Sequence, residues 1–155
     1  MAKNSLYQRQ NQYAAGIRSF PIIAYHLPGD SSMIIRDSAD SPHERVPGRS
    51  LLCELLHPDK VAGAQELECS IAHAIIPLGE STLPHLLKKS TELYYILEGS
   101  GEMHIDKETT PVTPGQIILI PAHARQWIGN TGKDNLVFFC IVSPKWKAAS
   151  EKLVA

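Results

Sequence analysis

The chain has 155 residues, 43% hydrophobic and 20% charged, with 15 basic and 16 acidic side chains and a formal net charge of -1. That length suits one domain around a single core. The balanced charge leaves no basic footprint for nucleic acid or an acidic membrane surface, and no run approaches the roughly 18 apolar residues of a membrane span, so neither is expected as a partner.

Residues 1–48 read as an arm. The opening MAKNSLYQRQNQYAAG is polar and lacks an apolar signal core, so a cytoplasmic location is expected. Residues 5–16 suit a short helix or an arm, and FPIIAYHL and SMIIR suit edge strands. RDSADSPHERVPGRS is a polar loop rich in turn formers. This region is expected to wrap the domain or to add strands to a partner subunit, which makes a homodimer the expected assembly.

Residues 49–144 carry short apolar or alternating runs broken by turn residues: SLLCELL, LECSIAHAII, ELYYILEG, EMHID, GQIILIP and NLVFFCIV. Strands of this length and spacing argue for an antiparallel sandwich or barrel. Eleven prolines, nearly all at segment edges, agree with that, because proline cannot donate to a sheet ladder. Asn130-Thr131-Gly132 adds a hairpin signal. Residues 145–155 read as a tail or short helix, and the closing SPKWKAASEKLVA, residues 143–155, suits a brief helix anchored by Trp146. Cys53, Cys69 and Cys140 form no CxxC pair, and each reads as a small buried hydrophobe.

Two spaced sets of residues point to chemistry. In the first, Gly79 is followed after five intervening residues by His85, after one more by Leu87, after four by Glu92, and after six by Gly99. In the second, Gly115 is followed by Pro121, His123, Gln126 and Asn130. Fifteen residues, 100–114, separate the two sets. Alternate residues of a strand share a face, so Glu92, Tyr94 and Ile96 point the same way.

These two sets resemble the paired motifs of the cupin superfamily. The resemblance covers residues 79–130 closely and extends to about 50–144. It implies an all-β fold, a small antiparallel double-stranded β-helix (jelly-roll) barrel, here with an N-terminal extension. It also implies that the Glu92 face lines the interior. In the family, two histidines and a glutamate of the first motif and a histidine of the second hold a metal. Carried over by position, His85 and Glu92 match, Leu87 replaces one imidazole, and Gln126 replaces the other. His73, six residues before Gly79, stands where cupins point a side chain into the barrel, and is expected to make up for the loss. His57 reads as turn chemistry, His123 as a rim residue at a position where the family prefers glycine, and His104 as outward-facing.

The expected metal set is His85, Glu92, Gln126 and His73, an oxygen and nitrogen set suited to zinc, iron, manganese or nickel. The expected catalytic set is His85, Glu92 and Tyr94, with His73, Tyr94 and Gln126 binding substrate. The resemblance implies a small-molecule-binding cupin. Its leading form is a metal-assisted isomerase, lyase or oxygenase acting on a small oxygenated metabolite. Leu87 and Gln126 favour the alternatives, a ligand-binding or sensing module with a decayed metal site or a metal-free sugar isomerase or epimerase. A third possibility is purely structural, with His85 and Glu92 satisfying one another.

Overall fold

The fold is that of a computed structural model, which describes residues 33–154. The expected helix at 5–16 and the FPIIAYHL strand lie outside those residues. Of SMIIR, residues 33–36 form no strand, and Met33 and Ile35 are exposed.

Among the described residues eleven strands run β1 (Glu44–Arg45), β2 (Leu51–Leu56), β3 (Ser70–Ile76), β4 (His85–Leu87), β5 (Thr91–Glu98), β6 (Gly101–Ile105), β7 (Glu108–Val112), β8 (Ile117–Ile120), β9 (Gln126–Asn130), β10 (Leu136–Ser143) and β11 (Glu151–Leu153). They form a six-stranded sheet, β1-β2-β3-β10-β5-β8, and a five-stranded sheet, β11-β4-β9-β6-β7. Every pairing is antiparallel. No helix among the described residues is long and apolar enough to cross a membrane.

The two sheets enclose one core. Inward residues alternate along each strand: Ala72, Ala74 and Ile76 on β3, Tyr94 and Ile96 on β5, Leu136, Phe138, Cys140 and Val142 on β10. The five-stranded sheet adds Leu87, Met103, Val112 and Ile128. Pro111 is tolerated inside β7 because that strand is a sheet edge and its missing N–H breaks no second ladder.

Asn130-Thr131-Gly132 does not close a hairpin. β9 and β10 lie in different sheets, and the segment carries the chain across between them. The buried Asn130 side chain braces the crossing, donating to the carbonyls of Ile76 (2.9 Å) and Asp134 (2.8 Å) and accepting from the Gly132 N–H (3.0 Å). Gly99 turns the chain between β5 and β6 at φ 76°, and a Cβ there would stand 2.3 Å from the Asn135 carbonyl oxygen. The tail after β10 makes a short 3-10 turn, Ala148–Ser150, and then β11, which pairs with β4. Half-buried Trp146 packs against the core, as its reading as an anchor anticipates.

Candidate functional site

The candidate site forms where β4, β5, β9 and β10 face one another across the interior. His85 opens β4 directly opposite Gln126, the first residue of β9. Glu92 and Tyr94 point inward from β5, and Cys140 of β10 is paired with Tyr94. Glu92 is 5% exposed, Gln126 1% and Tyr94 3%, so these groups sit in a nearly dry environment.

Hydrogen bonds order the cluster. The Gln126 amide N–H donates to Glu92 Oε2. The Cys140 thiol donates to Glu92 Oε1 at 2.7 Å. His85 Nδ1 lies 2.9 Å from the Leu83 carbonyl oxygen, which can only accept, so Nδ1 carries the proton of a neutral ring and Nε2 carries the lone pair. That Nε2 faces Glu92 Oε2 at 4.0 Å.

Burial sets the proton affinities. It pushes the Glu92 carboxyl above its ordinary value, against the downward pull of the Cys140, His85 and Gln126 contacts. Tyr94 and Cys140 are driven well up by burial and by the neighbouring Glu92 carboxylate, so both keep their protons at neutral pH. The Tyr94 ring also packs on Phe138, with centroids 4.5 Å apart.

His73 does not join this cluster, contrary to the expectation from its motif position. Its neighbours Ala72 and Ala74 point inward, so strand alternation places His73 on the outer face of β3. There its Nδ1 meets His43 Nε2 at 2.8 Å and its ring meets Phe139 edge-on at 5.8 Å. Burial and the adjacent His43 lower its proton affinity.

The other histidines fall where their readings placed them. His57 accepts from the Asp59 N–H at 3.2 Å and donates to the Trp146 carbonyl at 2.9 Å. His104 stacks on Trp127 on the outer face at 4.2 Å. His123 is exposed at φ 69°, a left-handed conformation that explains a preference for glycine at that position.

Cys140 was missed by sequence reasoning. In NLVFFCIV, Phe138 and Cys140 share parity, and pairing that parity with the Glu92 face would have placed the thiol inside. Two open surface grooves, of about 410 and 970 Å³, run along β7 and β8. Their linings share Ile105, Glu108 and Leu119 and include none of His85, Glu92 or Gln126. The buried cluster is therefore separate from both grooves, the second of which carries Asp106, Lys107, Glu108, His123 and Arg125 on its lining.

Comparison with known proteins agrees with this geometry. The cupin domain family matches residues 72–142, from β3 to the end of β10. A protein of Methanocaldococcus jannaschii is 40% identical over 97 residues, 63% of this chain and 75% of the relative. This chain belongs to the cupin family. An oxalate-binding protein of Thermotoga maritima is 26% identical over 118 residues, 72% of this cupin and 94% of the relative. Among solved structures, a predicted oxalate decarboxylase of Thermotoga maritima superposes with a TM-score of 0.64 at 24% identity, covering 72% of this cupin and 99% of its own chain. The nucleoside dehydratase Pac13 of Streptomyces superposes at 0.61 with 16% identity, covering 79% and 92%. Those two likenesses are of fold.

Cupins often bind divalent metals, but the donors present here do not fit a resident one. Among the described residues no group of three or more His, Cys, Asp or Glu side chains is placed to share an ion. His73 is on the wrong face, and Leu87 puts a buried aliphatic chain at the second imidazole position. Both oxygens of Glu92 already accept from neutral donors. Of the expected metal set His85, Glu92 and Gln126 stay together, one imidazole, one carboxylate and one neutral amide.

Proposed function

We propose that this cupin binds a small oxygenated metabolite at the His85–Glu92 cluster and moves a proton on it without a resident metal. The observation that carries this reading is the approach of two ionisable groups, His85 Nε2 and Glu92 Oε2, to 4.0 Å inside an aliphatic barrel. Withdrawing such groups from water is costly, and a barrel selected only for packing has no use for them. His85 is the base, since its Nδ1 proton is held by the Leu83 carbonyl and Nε2 is left with its lone pair. Glu92 is the acid, because burial raises its proton affinity toward neutrality. Tyr94 and Gln126 align the substrate. The reaction class is isomerisation, epimerisation or elimination next to a carbonyl. The oxalate-binding relative supports a small oxygenated ligand and leaves the reaction open.

A second reading is a non-catalytic binding module. Leu87, buried where a ligating imidazole would stand, is the observation that favours it. Solvent-deuterium exchange separates the two readings. Parent, His85→Asn and Glu92→Gln proteins are incubated with small hydroxy-carbonyl compounds in heavy water and chelator, and substrate C–H signals are followed by NMR. The proton-transfer reading expects exchange by the parent and a loss of about 100-fold or more in each variant. Ligand binding without exchange would establish the binding module instead. A homodimer is also part of the proposal, supported by exposed Tyr95, Ile117 and Leu119 along the six-stranded sheet. Sedimentation of parent and Leu119→Lys proteins tests it, and a monomeric parent would refute it.

A further inference from the structure

The cluster leaves one buried acceptor unpaired. Glu92 accepts at both oxygens, from Cys140 and from Gln126. His85 donates its Nδ1–H to the Leu83 carbonyl, which leaves Nε2 of the neutral ring as an acceptor. Gln126 uses its N–H on Glu92, and its own Oε1, fully buried, has no partner. Buried polar atoms are almost always paired, and an orphaned acceptor marks a place where something else is meant to donate. His85 and Gln126 are opposed on β4 and β9, and each turns its Nε2 toward Glu92 Oε2.

We infer that the ligand enters this site through a hydroxyl group, and that the substrate class is neutral hydroxy-carbonyl compounds, with polyols as their non-reacting analogues, and not carboxylate dianions. The inference rests on the reading of the cluster as a small-molecule site. A hydroxyl is the smallest neutral group that donates to Gln126 Oε1 while its oxygen stays free to accept. The surrounding walls, Ile96, Met103, Ile128 and Phe138, favour a ligand without formal charge. Oxalate offers only acceptors, so it leaves Gln126 Oε1 unpaired and adds its own charge to the aliphatic interior. An ammonium group would carry its full charge into the same aliphatic surroundings. Within this family relationship the oxalate-binding protein of Thermotoga maritima is therefore a relative in fold whose ligand this chain does not share.

The test uses the full chain freed of metal with chelator. Binding is measured by ligand-observed NMR and calorimetry for neutral polyols from ethylene glycol to sorbitol, for oxalate, and for ethanolamine. At least one polyol is expected to bind, with oxalate and ethanolamine much weaker. Gln126→Met keeps the length and removes the acceptor, and should weaken polyol binding about tenfold, the equivalent of about 1.4 kcal/mol. Should that variant fold poorly, the Gln126 side-chain amide resonance in the parent gives an independent readout, expected to shift as polyol is added. Equal or tighter binding of oxalate or ethanolamine overturns the inference. So does failure of every polyol, polyol affinity indifferent to Gln126→Met, or an unmoved Gln126 resonance. Gln126-dependent polyol binding with no deuterium exchange into any of the hydroxy-carbonyl compounds would leave the inference standing and sink the proton-transfer reading. Exchange with binding indifferent to Gln126 would do the reverse.

Discussion

Replacing Glu92 by glutamine isolates the charge at the centre of the cluster. Burial is the largest influence on the Glu92 carboxyl and raises its proton affinity above the ordinary 4.5. A raised acid holds its proton more tightly in the folded chain than in the unfolded one. Its contribution to stability is therefore complete below the ordinary value and is lost as pH climbs through the raised one. Glu92→Gln keeps the shape and removes the ionisation. Its new N–H also finds an acceptor in Gln126 Oε1 once that amide turns over, while its carbonyl accepts from Cys140. Exchanging a poorly compensated buried charge for a neutral group is worth about 1–3 kcal/mol. For a chain of this size each kcal/mol moves Tm by about 2–4 °C. Urea unfolding followed through Trp127 and Trp146 should show near-equal stability at pH 4 and a more stable variant at pH 8. A variant no more stable than the parent at pH 8 would refute the reasoning, because it would mean that charge partners fully offset the desolvation.

Two further outcomes test the packing and the donor set. Phe138→Ala removes a ring that is 2% exposed and packed on Tyr94, and should cost about 3–5 kcal/mol by urea unfolding; a loss under about 1 kcal/mol would mean that the core closes over the gap. The double change Leu87→His with Gln126→His rebuilds the four-ligand family pattern, and should give near-stoichiometric nickel or manganese uptake by elemental analysis after chelator treatment. The treated parent should take up far less, and equal uptake by parent and double variant would show that the present donors suffice.

How much of this was legible in the sequence depended on whether a strand has two distinguishable faces. β5 was read correctly, since Glu92, Tyr94 and Ile96 alternate with more exposed neighbours. β3 defeated the reading at His73, because IAHAII is apolar on both faces and its parity is set by its partners in the sheet. On the outer face of β3, His43 from the segment before β2 covers His73, which leaves the histidine half-buried on that side. Cys140 was obscured in the same way, lying in a strand whose two faces are both apolar. β4 was too short to register as a strand, and its three residues are held by single-residue pairing to β9 and by β11 from the tail. The hairpin expected at Asn130 failed because a turn signal reports local backbone chemistry and not which sheet the next strand joins.

The two departures from the family pattern belong to one change. A carboxylate inside a barrel needs compensation, and a metal ion supplies it with charge. Leu87 and Gln126 remove two of the imidazoles that would hold such an ion. In their place Glu92 receives two neutral donors, the amide of Gln126 on one oxygen and the thiol of Cys140 on the other. Both pull its proton affinity down, yet burial outweighs them. The same substitutions that weaken a metal site thus leave a carboxyl group whose proton is easier to keep near neutrality, beside an imidazole nitrogen with a free lone pair. That combination is what an acid and base working together require, and it arises from the residues that break the metal motif.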